Sequence, residues 1–253
     1  MSQVPLYDAL AADYDRFVHW EGRLAHELPF FVRLFQEHSV RRVLDAACGT
    51  GHHAIALAKQ GYAVLGADLS GAMVELARVN AAAAGVDVDF DVAGLGESIT
   101  LGETFDAVLC LGNSLPHLLT AEAVADALAD FAAVLQPGGL LVIQNRNFDR
   151  VWAERERFMP PQSHRVGDGE WLFLRFYDFH EETVTFHMVR LRRTEENWTQ
   201  DVESTELRPI FFDDLAAALA AAGFGDVEFY GGYGGSAFDP ARSGDLIAVA
   251  RKS

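Results

Sequence analysis

Short apolar runs and helix-period segments alternate along most of the chain. "RRVLDAAC" reads as a strand, "HHAIALAKQG" as a helix ending at Gly61, and "YAVLGADLS" as a second strand. "GAMVELARVNAAAAG" is helical in period and is stopped by Gly85, where a side-chain-free residue suits the left-handed cap. "VDVDFDVAG" alternates as a third strand does, and "FDAVLCLG" is a buried fourth. "TAEAVADALADFAAVLQPGG" opens on a Thr cap and closes on Pro-Gly-Gly, and "GLLVIQNRN" is the fifth strand. Regular alternation of strand and helix predicts an α/β protein with a doubly wound, mostly parallel sheet.

The pattern changes over residues 149–208. "WLFLRFYDFHEETVTFHMVRLRRTEENW" holds two β-rich runs separated by "DFHEE" with no helix between them, which predicts an antiparallel β flap inserted after strand five. "FFDDLAAALAAAGF" returns to helix, and "GDVEFYGGYGG" and "GDLIAVARKS" form a closing strand pair. Ahead of the first strand, "WEGRLAHELPFFVRLFQEH" is an amphipathic helix. One domain over residues 1–253 is expected: lid helices in 1–40, a cofactor-binding core in 41–148, the flap in 149–208, and a final helix and strand pair in 209–253.

Composition narrows the partners. Half of the 253 residues are hydrophobic, enough for a full core. The formal net charge of −17 repels phosphate backbones and anionic lipid, so neither nucleic acid nor membrane is expected as a partner. The first residues lack a basic stretch followed by an apolar core, so no signal peptide is expected and the location is read as cytoplasmic. Cys48 and Cys110 are too few for a disulfide framework and are read as small buried hydrophobes. His52 and His53 lack the i, i+4 spacing of a helical metal site, so no metal is expected.

In "VLDAACGTGHHAIALA" a strand feeds a helix through Gly49-Thr50-Gly51. Glycines allow positive φ and let a ligand lie against the backbone, and the helix beyond presents unpaired N–H groups. Asp68 closes the second strand, where a carboxylate can accept from both hydroxyls of a ribose. An adenosine-containing cofactor follows. Gly49-x-Gly51-x-x-Ala54 also fits a loose dinucleotide fingerprint, but Asp45 places a charge where such folds stay apolar, and no second nucleotide-binding half follows.

"VLDAACGTG" with Asp68 resembles motif I and its acidic partner in the class I S-adenosylmethionine-dependent methyltransferases. That resemblance implies a Rossmann-like seven-stranded sheet and S-adenosyl-L-methionine as cofactor. It implies cofactor contacts at Asp45, Ala47, Gly49, Gly51, Asp68 and Leu69. Many relatives carry Asp or Asn after strand three to bind adenine. Here that position is Gly94, so adenine is left to the backbone around Gly94 and Leu95, with Asp91 as the alternative.

The strand-four ending "LGNSLPHL" resembles the "GNS" segment of the glycine and glycine/sarcosine N-methyltransferases, and "GGLLVIQNRNFD" resembles that family's strand five. The resemblance runs through roughly the first 150 residues and fades in the flap. It implies methyl transfer to the amine of a small acceptor bearing a carboxylate. Arg146 would clamp that carboxylate, against the alternative of an arginine salt-bridged to Asp149. Asn113 would hold the acceptor, against the alternative of an Asx-turn. Leu111 and Gly112 would offer carbonyls to the cofactor's ammonium, with His117 supporting the loop or touching the cofactor. Tyr14 would lie near the sulfonium and Arg23 would bind the cofactor's carboxylate. Tyr7, Trp20, Phe176, Tyr177 and Tyr233 are candidates for a pocket roof.

An amino-sugar or hydroxyl acceptor remains open, as does a non-catalytic binder of the cofactor. A homo-oligomer is allowed, although the N-terminal segment is shorter than the arm that interlocks tetramers in some relatives.

Overall fold

The computed structural model describes residues 5–167, 169–194 and 197–253, so the first four residues of the expected lid lie outside the described residues. Two helices, α1 (Pro5–Phe17) and α2 (Trp20–Glu37), precede the sheet. The core then alternates β1 (Arg42–Ala46), α3 (His52–Lys59), β2 (Ala63–Asp68), α4 (Gly71–Ala84), β3 (Asp89–Val92), β4 (Phe105–Cys110), α5 (Ala121–Val134) and β5 (Leu135–Arg146). An inserted segment carrying α6 (Phe148–Glu154) and a four-stranded flap follows, and after it come α7 (Phe212–Ala221), β10 (Phe224–Tyr230) and β11 (Asp245–Lys252). The seven strands run in the order β10-β11-β5-β4-β1-β2-β3, with β1 to β5 parallel and β11 antiparallel to both neighbours. This is the doubly wound sheet expected from the alternation.

Both faces of the sheet are covered, as parallel strands require. Leu44, Val108, Leu141 and Ile143 pack on one face with Leu128 and Phe131 of α5. Val43, Leu109 and Val142 pack on the other with Phe31 and Phe35 of α2. Helix boundaries follow the expected chemistry. The Ser70 hydroxyl accepts from the Met73 N–H at 3.2 Å to open α4, and Gly85 closes it at φ 68°. Thr120 caps α5 by accepting from the Ala123 N–H at 3.1 Å.

The insertion differs from its expected form in two ways. Directly after β5 stands a two-turn helix, α6 (Phe148–Glu154), opened by the Asn147 side chain and closed by Arg155 at φ 51°. The flap is then a separate sheet of four strands, β6 (Gln162–Val166), β7 (Gly169–Phe179), β8 (Val184–Thr194) and β9 (Asn197–Leu207), in that order. The outer strands β6 and β9 are mostly exposed and polar, so they lack the apolar alternation that made β7 and β8 legible. Helix α1 lies under the flap: Leu6 and Leu10 pack with Trp171, Phe173 and Met188, and Arg190 meets Asp13 at 3.0 Å. Among the described residues no helix is long and apolar enough to cross a membrane.

Candidate functional site

A cavity of about 690 Å³ opens at the carboxyl ends of β1, β2 and β4, beneath α1 and the end of β9. This is the switch point of the sheet, where β1 has β2 on one side and β4 on the other. Every site residue expected from the sequence lines it except Gly51, Asn113 and Arg146.

Asp68 is fixed by the backbone around it. Its Oδ2 accepts from the Gly49 N–H at 2.8 Å and its Oδ1 from the Ser70 N–H at 2.9 Å, which fixes the carboxylate plane and leaves lone pairs on both oxygens. Burial pushes its pKa up despite those bonds. Gly49 stands at φ 55° and Ala47 at φ 60°, the latter an uncommon conformation for a residue with a Cβ. Gly51 serves packing: at φ 80°, an added Cβ would meet the Phe90 ring and the Ala77 Cβ at 2.9 Å.

Deeper in the cavity Asp45 is 1% exposed, and its Oδ2 has no hydrogen-bond partner. Burial pushes its carboxyl up to about 6. The Arg23 Nε donates to Glu27 Oε1 at 2.8 Å, and Glu27 Oε2 meets His53 Nε2 at 2.6 Å. Arg23 also lies over the Trp20 ring at 5.2 Å. The guanidinium is thereby fixed through Nε, with its terminal nitrogens unbonded among the described residues. A fixed carboxylate for a diol, an orphaned buried acceptor and an oriented cation fit an adenosine bearing an amino-acid tail.

His117 is neutral: burial pushes its pKa down to about 4. Its Nε2 is 2.8 Å from the Tyr7 hydroxyl, a hydrogen bond that ties α1 to the strand-four loop. Tyr14 and Trp20 also line the cavity, while Phe176, Tyr177 and Tyr233 do not.

Near the expected adenine end, the Gly94 N–H is already used: it donates to Glu97 Oε2 at 2.8 Å. Glu97 lines the cavity and Asp91 does not, so the acidic residue on this side stands three positions after the glycine. Thr205 and Glu206 of β9 also line the wall, and no signal in the polar β9 sequence marked them. Among the described residues no cluster of three potential metal-binding side chains occurs, and both cysteines are free and buried.

Asn113 and Arg146 meet each other behind the cavity. Asn113 stands at φ 64°, and its Oδ1 accepts from the Arg146 backbone N–H at 2.9 Å, tying the β4 turn to the end of β5. The Arg146 guanidinium pairs with Glu156 at 3.1 Å and lies over the Tyr177 ring at 5.6 Å. Asp149 is not its partner: α6 carries that residue away to accept from the Phe212 N–H at 3.0 Å. Glu156 instead returns to the strand end past the left-handed Arg155, and is shared with Arg150 at 3.1 Å.

Comparison with known proteins agrees with this geometry. Residues 43–139 match a family model described as a methyltransferase domain. Over 141 residues the chain is 42% identical to the glycine/sarcosine N-methyltransferase of Parasynechococcus marenigrum (strain WH8102), covering 54% of this chain and 49% of that protein. It is 35% identical over 142 residues to the glycine N-methyltransferase of Mus musculus, covering 51% and 48%. The matched stretch thus spans about half the length of these relatives. Among solved structures, an S-adenosylmethionine-dependent methyltransferase from Clostridium acetobutylicum superposes with a TM-score of 0.78 at 15% identity, covering 98% of this chain and 99% of that one. CalS10, an amino pentose methyltransferase from Micromonospora echinaspora, superposes with a TM-score of 0.73 at 24% identity, covering 97% and 96%. Residues 43–139 thus match a methyltransferase domain, and the chain shares the overall fold of these solved structures.

Proposed function

We propose that the protein is an S-adenosylmethionine-dependent N-methyltransferase acting on a small amino acid such as glycine or sarcosine. The observation that carries this reading is the convergence on one cavity of Asp68, Asp45 and Arg23 with the Leu111-Gly112 turn. The glycine/sarcosine N-methyltransferase relatives match 141 and 143 residues of the chain. When bound, S-adenosylmethionine supplies a methyl group on a sulfonium, already activated for in-line displacement by an amine lone pair.

The chain's own residues then have limited tasks. Asp68 accepts from the ribose diol and Arg23 pairs with the cofactor's carboxylate. Tyr14 gives the sulfonium region an aromatic face. Arg146 and Asn113, at the adjoining ends of β5 and β4, orient the acceptor's carboxylate. His117 is buried and its Nε2 is hydrogen-bonded to Tyr7, and it is assigned a supporting role and not that of a base. The amine must arrive neutral, and alignment in a dry pocket supplies the acceleration, an effect of ~7–11 kcal/mol in well-oriented systems. A cytoplasmic location belongs to the same proposal, since two free cysteines suit a reducing compartment.

A second reading has its own support. Both acceptor-side residues have internal partners, Arg146 with Glu156 and Asn113 with the Arg146 backbone, which leaves room for an amino-sugar acceptor that needs no carboxylate clamp. Incubation with methyl-labelled cofactor and glycine, sarcosine, dimethylglycine or amino sugars separates the two. Transfer to glycine or sarcosine is expected. Arg146→Ala should raise the acceptor KM by roughly 10- to 100-fold, the value of a charge-assisted hydrogen bond, and leave the cofactor Kd unchanged. Glycine methylation at an unaltered KM in that variant would remove the clamp.

A further inference from the structure

The inward face of the flap carries charged residues that the proposed reaction has not used, Arg190 on β8, paired with Asp13, and Arg175 on β7. Along β7, Trp171, Phe173, Arg175, Tyr177 and Phe179 point to the same side, as the two-residue period of a strand requires. Trp171 and Phe173 pack on α1, and Tyr177 packs on α6 through Phe148 and Val151. Arg175 falls between these two clusters, where α1, the flap and the end of β5 meet.

Its surroundings are unusual for a guanidinium. Arg175 lies 4.7 Å over the Phe17 ring, and its buried Nε has no hydrogen-bond partner. Arg150, Arg190 and Arg193 also leave a buried Nε unpaired, but each has a carboxylate on a terminal nitrogen. Among the described residues Arg175 has no carboxylate and no side-chain hydrogen bond. Its charged neighbour is Arg146, and burial together with that neighbour makes its charge harder to keep. Among the described residues the carboxylate ion-paired with Arg146 and Arg150 is Glu156, which is divided between them. In a chain of net charge −17, a half-buried arginine left without an anion is a place where one is missing.

We propose that Arg175 is a specificity-determining residue of the acceptor subsite: it supplies, from the flap, a second guanidinium for a carboxylate that Arg146 reaches from the sheet. The acceptor's anion is then shared by two cations, and Tyr14, beside both Arg175 and the cavity, joins this subsite to the cofactor end. The sequence reading passed over Arg175 because it stands within an apolar run whose alternation marked it only as part of a flap strand. The inference rests on the proposal above that the acceptor is anionic.

Acetate, which has the carboxylate but no amine, is the direct probe. Its Kd for the full chain, measured by calorimetry with saturating S-adenosylhomocysteine, is expected to rise at least tenfold in Arg175→Met and severalfold in Arg175→Lys. The S-adenosylmethionine Kd should stay the same in all three proteins. The unliganded Tm of Arg175→Met should not fall, because the variant removes a charge that has no anionic partner and keeps an unbranched side chain against the Phe17 ring. An unchanged acetate Kd, or a lower unliganded Tm with the acetate Kd preserved, overturns the inference. Should Arg175→Met fail to fold, Arg175→Lys decides it, with equal acetate binding at equal Tm as the overturning result. Acetate binding through Arg175 without methyl transfer to glycine keeps this inference and removes the proposed substrate. Glycine methylation at an unaltered KM in Arg175→Met does the reverse.

Discussion

Two buried titratable groups on the cavity wall respond oppositely to pH. Asp45 has its pKa raised from 3.8 to about 6, and His117 has its pKa lowered from 6.5 to about 4, both chiefly by burial. For Asp45 the native state binds the proton more tightly than the unfolded chain. Its contribution to stability is therefore fully present below pH 3.8 and lost as pH rises through 6. For His117 the native state binds the proton less tightly, so stability is lost as pH falls from 6.5 toward 4. The two slopes offset one another in the wild-type protein over the shared window. Asp45→Asn unmasks them. The difference in unfolding free energy between variant and wild type should grow in the variant's favour by about 3 kcal/mol from pH 4 to pH 7, two pKa units at 1.36 kcal/mol each. Urea melts at several pH values measure it, and a difference independent of pH would show that Asp45 ionises normally. The sequence placed a charge at this strand end but carried no sign that Oδ2 would be left without a partner.

At the scale of elements, the cavity depends on α1 being held from two sides. Below it, Asp8 accepts from the Ser70 hydroxyl at 2.5 Å, Asp15 accepts from the Thr50 hydroxyl at 2.6 Å, and the Tyr7 hydroxyl is hydrogen-bonded to His117. Above it, Leu6 and Leu10 enter the flap's apolar face. Leu10 is 1% exposed, and a Leu→Ala change at such a site costs ~2–5 kcal/mol. Because α1 packs on the main sheet's helices and the flap without forming part of either sheet, the loss should appear as local opening. Leu10→Ala is expected to speed amide exchange in α1 by about 30-fold or more, while β1 and β5 exchange as before. Equal acceleration in the central strands would mean that α1 unfolds only with the whole domain.

The same elements show what the sequence could and could not disclose. β1, β4 and β5 are continuous apolar runs because both faces are covered, and the Gly49 turn is marked by residue type alone. β6 and β9 are solvated edge strands with no period to read, and α6 is too short to show one. The alternative of an Arg146–Asp149 ion pair fails for a related reason: Glu156 reaches Arg146 only through the left-handed turn at Arg155, a tertiary return that local spacing does not encode.

For the molecule as a whole, the cavity wall is assembled from parts that are distant in sequence. Tyr14 comes from α1, Arg23 from α2, Asp68 from β2, Gly112 from the β4 turn and Thr205 from the flap. A ligand that touches all of them stabilises the sheet, the lid and the flap together. At one hundred times its Kd, a ligand specific for the native state adds about 2.7 kcal/mol. For a domain of this size that is a rise in Tm of about 5–10 °C. S-adenosylmethionine at that ratio should produce this rise in the wild-type protein. Asp68→Ala removes the carboxylate proposed for the ribose hydroxyls, and two charge-assisted hydrogen bonds at ~1.5–3 kcal/mol each would raise the Kd at least 100-fold. At the same cofactor concentration the rise should shrink below about 2 °C. The variant also leaves the Gly49 and Ser70 N–H groups without their acceptor, so its baseline Tm will fall, and the informative quantity is the cofactor-induced increment. Arg146→Ala, outside the cavity wall, should keep the full increment. An undiminished increment in Asp68→Ala would mean that the cofactor is not anchored at the end of β2, and the orientation assigned to both it and the acceptor would have to be reversed.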